Sequence, residues 1–230
     1  MSRLIRLEIR KMGIRKYIIA SIVSIICILL FMTISLYDSA TDPEQTKDAY
    51  ESMLRMASLL ITGTFLIMSA VLYAEIVIGE YKNRMVLIMY SYPIKREKLV
   101  AAKVILITVF VGISMIVAFI AAIIYLHIAE IKFDVLIDSV NISTVYQGLA
   151  KMAEQLIVLC IFSLIPFAVG LLKRSASLTI VVSVILLVLM QPIMGRSPSV
   201  LEFMGKVFCF AVIAAFVVLL AMRRGLEIRE

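Results

Sequence analysis

The sequence predicts an all-α polytopic membrane protein with six transmembrane helices. Three observations carry that expectation. Of 230 residues, 63% are hydrophobic and 17% charged, whereas a soluble domain is about half apolar and about a quarter charged. The mean hydropathy is +1.06. The apolar residues also gather into six runs, each near the ~20 residues a helix needs to cross about 30 Å of hydrocarbon. Helices are the form such runs take, because a helix satisfies its backbone polar groups internally where no water can.

Residues 1–16 alternate Leu4, Ile5, Leu7, Ile9 and Met12 with Arg3, Arg6, Arg10, Lys11, Arg15 and Lys16. A secretory signal also starts basic, but no small-residue cleavage site follows, and the apolar run continues past Phe31. The expectation is an amphipathic helix lying in the inner interface with its basic face toward the headgroups. A solvated basic tail that orients the first span is the plainer alternative. The spans are expected at residues 17–37, 53–79, 103–128, 155–172, 178–194 and 204–222. Between spans three and four, Ile131, Phe133, Leu136, Ile137 and Val140 recur at helical spacing, as in an amphipathic helix on the outer face. The turn-rich link Gly195-Arg196-Ser197-Pro198-Ser199, preceded by Gln191-Pro192, reads either as a tight turn or as a broken, re-entrant helix. No repeat or second domain appears, so residues 1–230 form one domain.

Charge asymmetry sets the expected orientation. The N-terminal segment, residues 75–103, Lys173-Arg174 and the tail from Arg223 hold 17 of the 23 Lys and Arg. Lys47, Arg55, Lys132, Lys151, Arg196 and Lys206 fall on the other side. The excess of positive charge belongs inside, which places both termini in the cytoplasm of a multi-pass protein. The net charge of +7 lies in short clusters beside apolar spans, so nucleic acid is not an expected partner. Tyr17, Tyr37, Tyr73, Tyr81, Tyr92 and Tyr125 near span ends are placed for an aromatic belt. Cys27, Cys160 and Cys209 lie in apolar runs and read as small packing residues, with no pattern for a disulfide framework.

The chain has no GxxxxGK[ST] phosphate loop, so any ATP hydrolysis by that route belongs to another subunit. One histidine, His127, excludes a two-histidine zinc protease motif. The expectation is a non-enzymatic chain with no cofactor or metal of its own. Glu75 is the most informative ionisable residue. A carboxylate at membrane depth is costly and calls for a partner or water. It is expected either to pair with Arg10 or Lys11 or to reach interfacial water. Thr62, Thr64, Ser69 and Ser114 read equally as lining for a translocation path and as polar glue between helices.

The most structured connection runs from Glu75 to Lys103. Lys82, Arg84, Lys95, Arg96, Lys98 and Lys103 supply its positive charge, Val86–Met89 a short apolar core, and Pro93 a helix stop. This stretch resembles the permease subunits of type-2 ATP-binding-cassette (ABC) transporters. In those, Glu-Tyr ends the second span, a coupling helix follows, then Ser-Tyr-Pro-Ile-x-Arg and a Lys that opens the third. Here the matching residues are Glu80-Tyr81, Ser91-Tyr92-Pro93-Ile94-Lys95-Arg96 and Lys103. A Gly-Thr common after Glu-Tyr is absent, with Arg84-Met85 nearby instead. The resemblance is strongest over these thirty or so residues. It implies a cytoplasmic coupling helix between spans two and three that docks a peripheral ATPase through Glu80, Tyr81, Lys82, Arg84, Met85, Leu87, Tyr92, Pro93 and Arg96. It further implies two ATPase subunits that bind ATP and Mg, a second permease copy or a sister chain, and a bacterial plasma membrane. Relatives of this size resemble exporters of bacitracin, lantibiotics and phenol-soluble modulins, which implies an amphipathic peptide as substrate. Two other classes stay open: the substrate-capture subunit of a vitamin importer, and an immunity membrane protein that transports nothing.

Overall fold

The computed structural model describes residues 13–41, 50–79, 96–133 and 142–194, with 205, 211, 212 and 214–216 in addition. Among the described residues there are helices and turns and no strand. Helix α1 is Arg15–Thr41 and α2 is Tyr50–Tyr73, which runs on into a π-helical turn, Ala74–Ile78. Then come α3 (Arg96–Phe133), α4 (Ile142–Phe162), α5 (Leu164–Lys173) and α6 (Ala176–Met194). Four stretches are long and apolar enough to cross a membrane: Arg15–Tyr37, Met53–Ile78, Val100–Ala129 and Gly148–Lys173. The apolar helix Ala176–Leu189 is shorter. Of the sixth expected span only residues 205, 211, 212 and 214–216 are described, and they are helical. The expected interfacial helix up to residue 12, the coupling helix within 80–95, the outer-face residues 134–141 and the 195–199 link lie outside the described residues.

Two expected elements differ in detail. The helix of the third crossing begins at Arg96 rather than Lys103, because Arg-Glu-Lys-Leu-Val-Ala-Ala is rich in strong helix formers and carries the helix outward from the apolar run. The fourth crossing starts earlier than Gln155 and is two helices, α4 and α5, meeting at Ser163. Pro166 explains the break. Its ring lacks an N–H and crowds the carbonyl four residues back, that of Phe162. At the junction the Ser163 N–H still donates to the Leu159 carbonyl at 2.9 Å. In α6 the helix continues through Pro192 to Met194.

The turn from α5 to α6 is tight. Arg174 adopts the left-handed conformation (φ 50), and its N–H caps α5 on the Gly170 and Leu171 carbonyls. Helix α6 then returns against α5 so closely that a Cβ on Gly170 would collide with the Thr179 side chain and with the Ile78 methyl. Only glycine fits there, which is the small-residue packing that membrane helices use in place of a hydrophobic drive.

The chain divides into two compact units. One takes residues 65–112 and those from 158 onward, the other residues 15–64 and 113–157. In the second unit, Ser21 Oγ donates to Ser114 Oγ at 3.4 Å and Tyr125 Oη donates to Thr33 Oγ1 at 2.9 Å. Both residue numbers rise together between the two contacts, so α1 and α3 run parallel. Leu54 lies against Gly148 and Thr62 against Gln155, so α2 and α4 are parallel as well. Parallel first and third crossings require a reversed second one. The ends of α1 and α3 that carry Arg15-Lys16 and Arg96 therefore point the same way.

The aromatic residues divide. The Lys16 ammonium lies 4.7 Å from the centroid of the Tyr17 ring at the start of α1, and Tyr37 is exposed at the other end of that span. Tyr73 is not part of a belt: it is fully buried. Cys27, expected to be a packing residue, is exposed, and Cys160 is half-buried.

Candidate functional site

The first unit holds the roots of the basic segment 80–95. Helix α2 enters that segment through the π turn, and α3 leaves it at Arg96. A π turn adds a residue per turn and rotates the register of everything after it, and such turns recur at functional positions. Here Ala74, Ile76, Val77 and Ile78 are all buried, and Glu75 alone is exposed. That is more burial than one face of a regular helix gives. Ile78 fits because Gly170 leaves room for its methyl.

Tyr73, the last α-helical residue before the π turn, is where these elements converge. Its hydroxyl is 2.9 Å from Thr108 Oγ1 on α3, with the Ser163 hydroxyl as a second polar neighbour. Its ring is tilted against Phe167 of α5, with centroids 5.1 Å apart, within the range of favourable aromatic pairs. A phenol buried in an apolar bundle needs a partner for its O–H, since an unpaired polar group there is costly. Thr108 supplies that partner from the helix that forms the other root of the segment. Ser163, at the junction of α4 and α5, donates its hydroxyl to the Cys160 carbonyl at 3.2 Å.

The residues expected to dock an ATPase, from Glu80 to Pro93, lie outside the described residues, as do Arg10 and Lys11. Arg96 opens α3. Lys103, expected at the mouth of the third span, is two turns inside α3 and only 2% exposed. Glu75 sits exposed in the π turn. The four expected path residues lie on the helices as follows. Thr62 is buried, its hydroxyl directed both to the Ser58 carbonyl at 2.8 Å and to the Gln155 carboxamide. Ser69 is buried and bonds back to the Leu66 carbonyl at 2.7 Å. Ser114 meets Ser21, and Thr64 is half-buried.

Sequence reasoning missed Tyr73 as a core residue, along with Thr108, Gln155, Ser163, Phe167, Gly170 and Thr179. Two signals were present. A tyrosine two residues before an intramembrane glutamate lies deeper than a belt position. A glutamine at the start of an apolar run needs a hydrogen-bonding partner on a neighbouring helix. Among the described residues, no three His, Cys, Asp or Glu side chains converge as a metal site.

Residues 4–190 match the family described as ABC-2 family transporter protein. An uncharacterized protein of Bacillus subtilis (strain 168), YcbO, is 29% identical over 197 residues, covering 82% of each chain. No solved structure matches the chain.

Proposed function

This chain belongs to the ABC-2 family of transporter proteins, and from that premise we propose that it is the permease of an ATP-driven exporter of amphipathic peptides. A permease of this family is a membrane component, with the ATPase as a separate subunit. The observation that carries the finer reading is the construction of the segment's roots. The basic stretch 80–95 joins α2 to α3, and Tyr73 bonds to Thr108, about three turns into α3 from Arg96. A load applied to that stretch passes into both helices together.

The ATPase docks on Glu80, Tyr81, Lys82, Arg84, Met85, Leu87, Tyr92, Pro93 and Arg96, with apolar Met85 and Leu87 as the anchor and the basic residues around them. Two ATPase copies, binding ATP and Mg, close on one another and push the segment as a lever. Spans two and three tilt with it and exchange inward for outward access, the general route of alternating access. The pathway forms with a second permease copy or a sister chain in the bacterial plasma membrane, with both termini in the cytoplasm. In this reading Thr62, Thr64, Ser69 and Ser114 contribute polar groups to that path, and Glu75, with Arg10 or Lys11 as its ionic partner, stiffens the corner.

The test is co-expression with a P-loop ATPase encoded beside this chain. The wild type co-purifies with it, and Leu87→Asp with Arg84→Glu weakens the complex by about 100-fold or more in affinity, some 2.7 kcal/mol. Inverted vesicles then accumulate bacitracin or a phenol-soluble modulin only with ATP. Labelling of a cysteine at Met85 by an impermeant thiol reagent from outside intact cells overturns the proposal.

A further inference from the structure

We infer that Tyr73 is a positioning residue for energy coupling: its hydroxyl bond to Thr108 and its ring contact with Phe167 make α2, α3 and α5 move as one body when the 80–95 segment is displaced. The inference rests on the permease reading above and goes beyond it by naming the residue through which displacement enters the bundle.

Three features of the geometry support it. Tyr73 is the last residue of regular α-helix before the π turn, whose Ile78 packs on Gly170 of α5. A load from the segment passes through that packed turn and reaches, at Tyr73, the hydroxyl bond that ties it to α3. The attachment also reaches two different elements. The hydroxyl lies 2.9 Å from Thr108 on α3, and the ring packs at 5.1 Å on Phe167 of α5. Finally, α5 is separated from α4 by the break at Ser163, so it can follow Tyr73 without dragging all of α4. Tyr73 is 0% exposed, which leaves its phenol no water to exchange for Thr108. Within the bundle, Tyr73→Phe keeps the ring and its packing and removes only the bond.

The measurement uses the complete complex of this chain with its ATPase, reconstituted in lipid vesicles. Cys27, Cys160 and Cys209 are replaced by Ser or Ala, and spin labels are placed at exposed Val109 on α3, inside the moving body, and exposed Leu149 on α4, outside it. In the wild type, trapping with ATP and vanadate changes the distance between the labels. In Tyr73→Phe the resting distance and the ATPase rate stay unchanged, and the ratio of displaced to resting population on trapping falls about threefold, the weight of one interhelical hydrogen bond. Thr108→Val behaves as Tyr73→Phe, Thr108→Ser restores the wild-type response, and the double variant is no worse than either single one. An unchanged response in both Tyr73→Phe and Thr108→Val overturns the inference and leaves the permease reading intact. A resting distance already altered in both shows a purely structural role and also overturns it. A wild-type complex that shows no distance change at all removes the permease reading, and this inference with it.

Discussion

The first and second crossings are of similar length and both are apolar, yet the bundle treats them in opposite ways. In α1, 17% of the membrane-length window is buried; in the second crossing, 67% is. The more apolar of the two is the more exposed. Along α1 the buried positions Tyr17, Ser21, Ile28, Met32 and Leu36 form one narrow stripe, and Ile18, Ile19, Ile22, Val23, Ile26, Leu30 and Ile34 face outward. The second crossing buries Ala57, Ser58, Ile61, Thr62, Phe65, Ser69, Ala70 and Tyr73 around most of its circumference. In lipid, apolar surface gains nothing by leaving a hydrocarbon solvent, so hydropathy does not select which helix is most buried. Small residues that permit close approach, and hydroxyls that bond across helices, do.

The largest effect comes from breaking the outward face of α1. Ile26→Arg puts a charge at mid-span where a branched alkyl group faces outward, and insertion should be less favourable by about 3 kcal/mol, read as the inserted fraction in a membrane-integration assay. Position 61 of α2, 0% exposed, should instead fail through loss of the folded bundle with the same substitution.

The next effect breaks the crowded side. Gly170→Ala forces a methyl into Thr179 and Ile78 and should cost about 1–3 kcal/mol, measured by unfolding in mixed micelles. An alanine at exposed Ile19 of α1 should change that stability by less than about 0.5 kcal/mol.

A smaller effect sharpens the role of the hydroxyls. Thr62→Val strands the Gln155 carboxamide inside the bundle and should cost about 1–3 kcal/mol. Adding Gln155→Leu should recover most of that loss, because two apolar groups of similar shape need no partner. If the double variant is as weak as the sum of the singles, polar pairing is not what holds α2 to α4. The smallest effect falls on α1. Tyr125→Phe removes the bond to Thr33 and should cost about 0.6 kcal/mol, the average for an interhelical bond of this kind.

Much of this architecture could be read from the chain. Four of the six expected crossings appear as helices of membrane length and a fifth as a shorter apolar helix, because the requirement for about 20 apolar residues is a property of local composition. The parallel pairing of α1 with α3 agrees with the alternation expected of successive crossings. The ends of the helices were less legible. Arg96 to Ala102 is helical although polar at its start, since helix propensity does not stop where hydropathy does. The break before Pro166 was visible as a proline in an apolar run, but the place of Ser163 beside Tyr73 was not. The candidate site was legible as a basic, aromatic segment between two spans. Its anchoring inside the bundle was not.

Membrane residence, helical class and the alternation of basic ends follow from residue content along the chain, because solvation by lipid acts on each segment separately. Which crossing buries most of its surface, that Tyr73 is a buried junction rather than an interfacial anchor, and that Gly170 must be glycine depend on what lies across from each residue. Those partners, Thr108, Phe167, Thr179 and Ile78, are distant in sequence or on another helix. Close packing and hydrogen bonding between helices act at a few ångströms, so no single segment carries the information that places them.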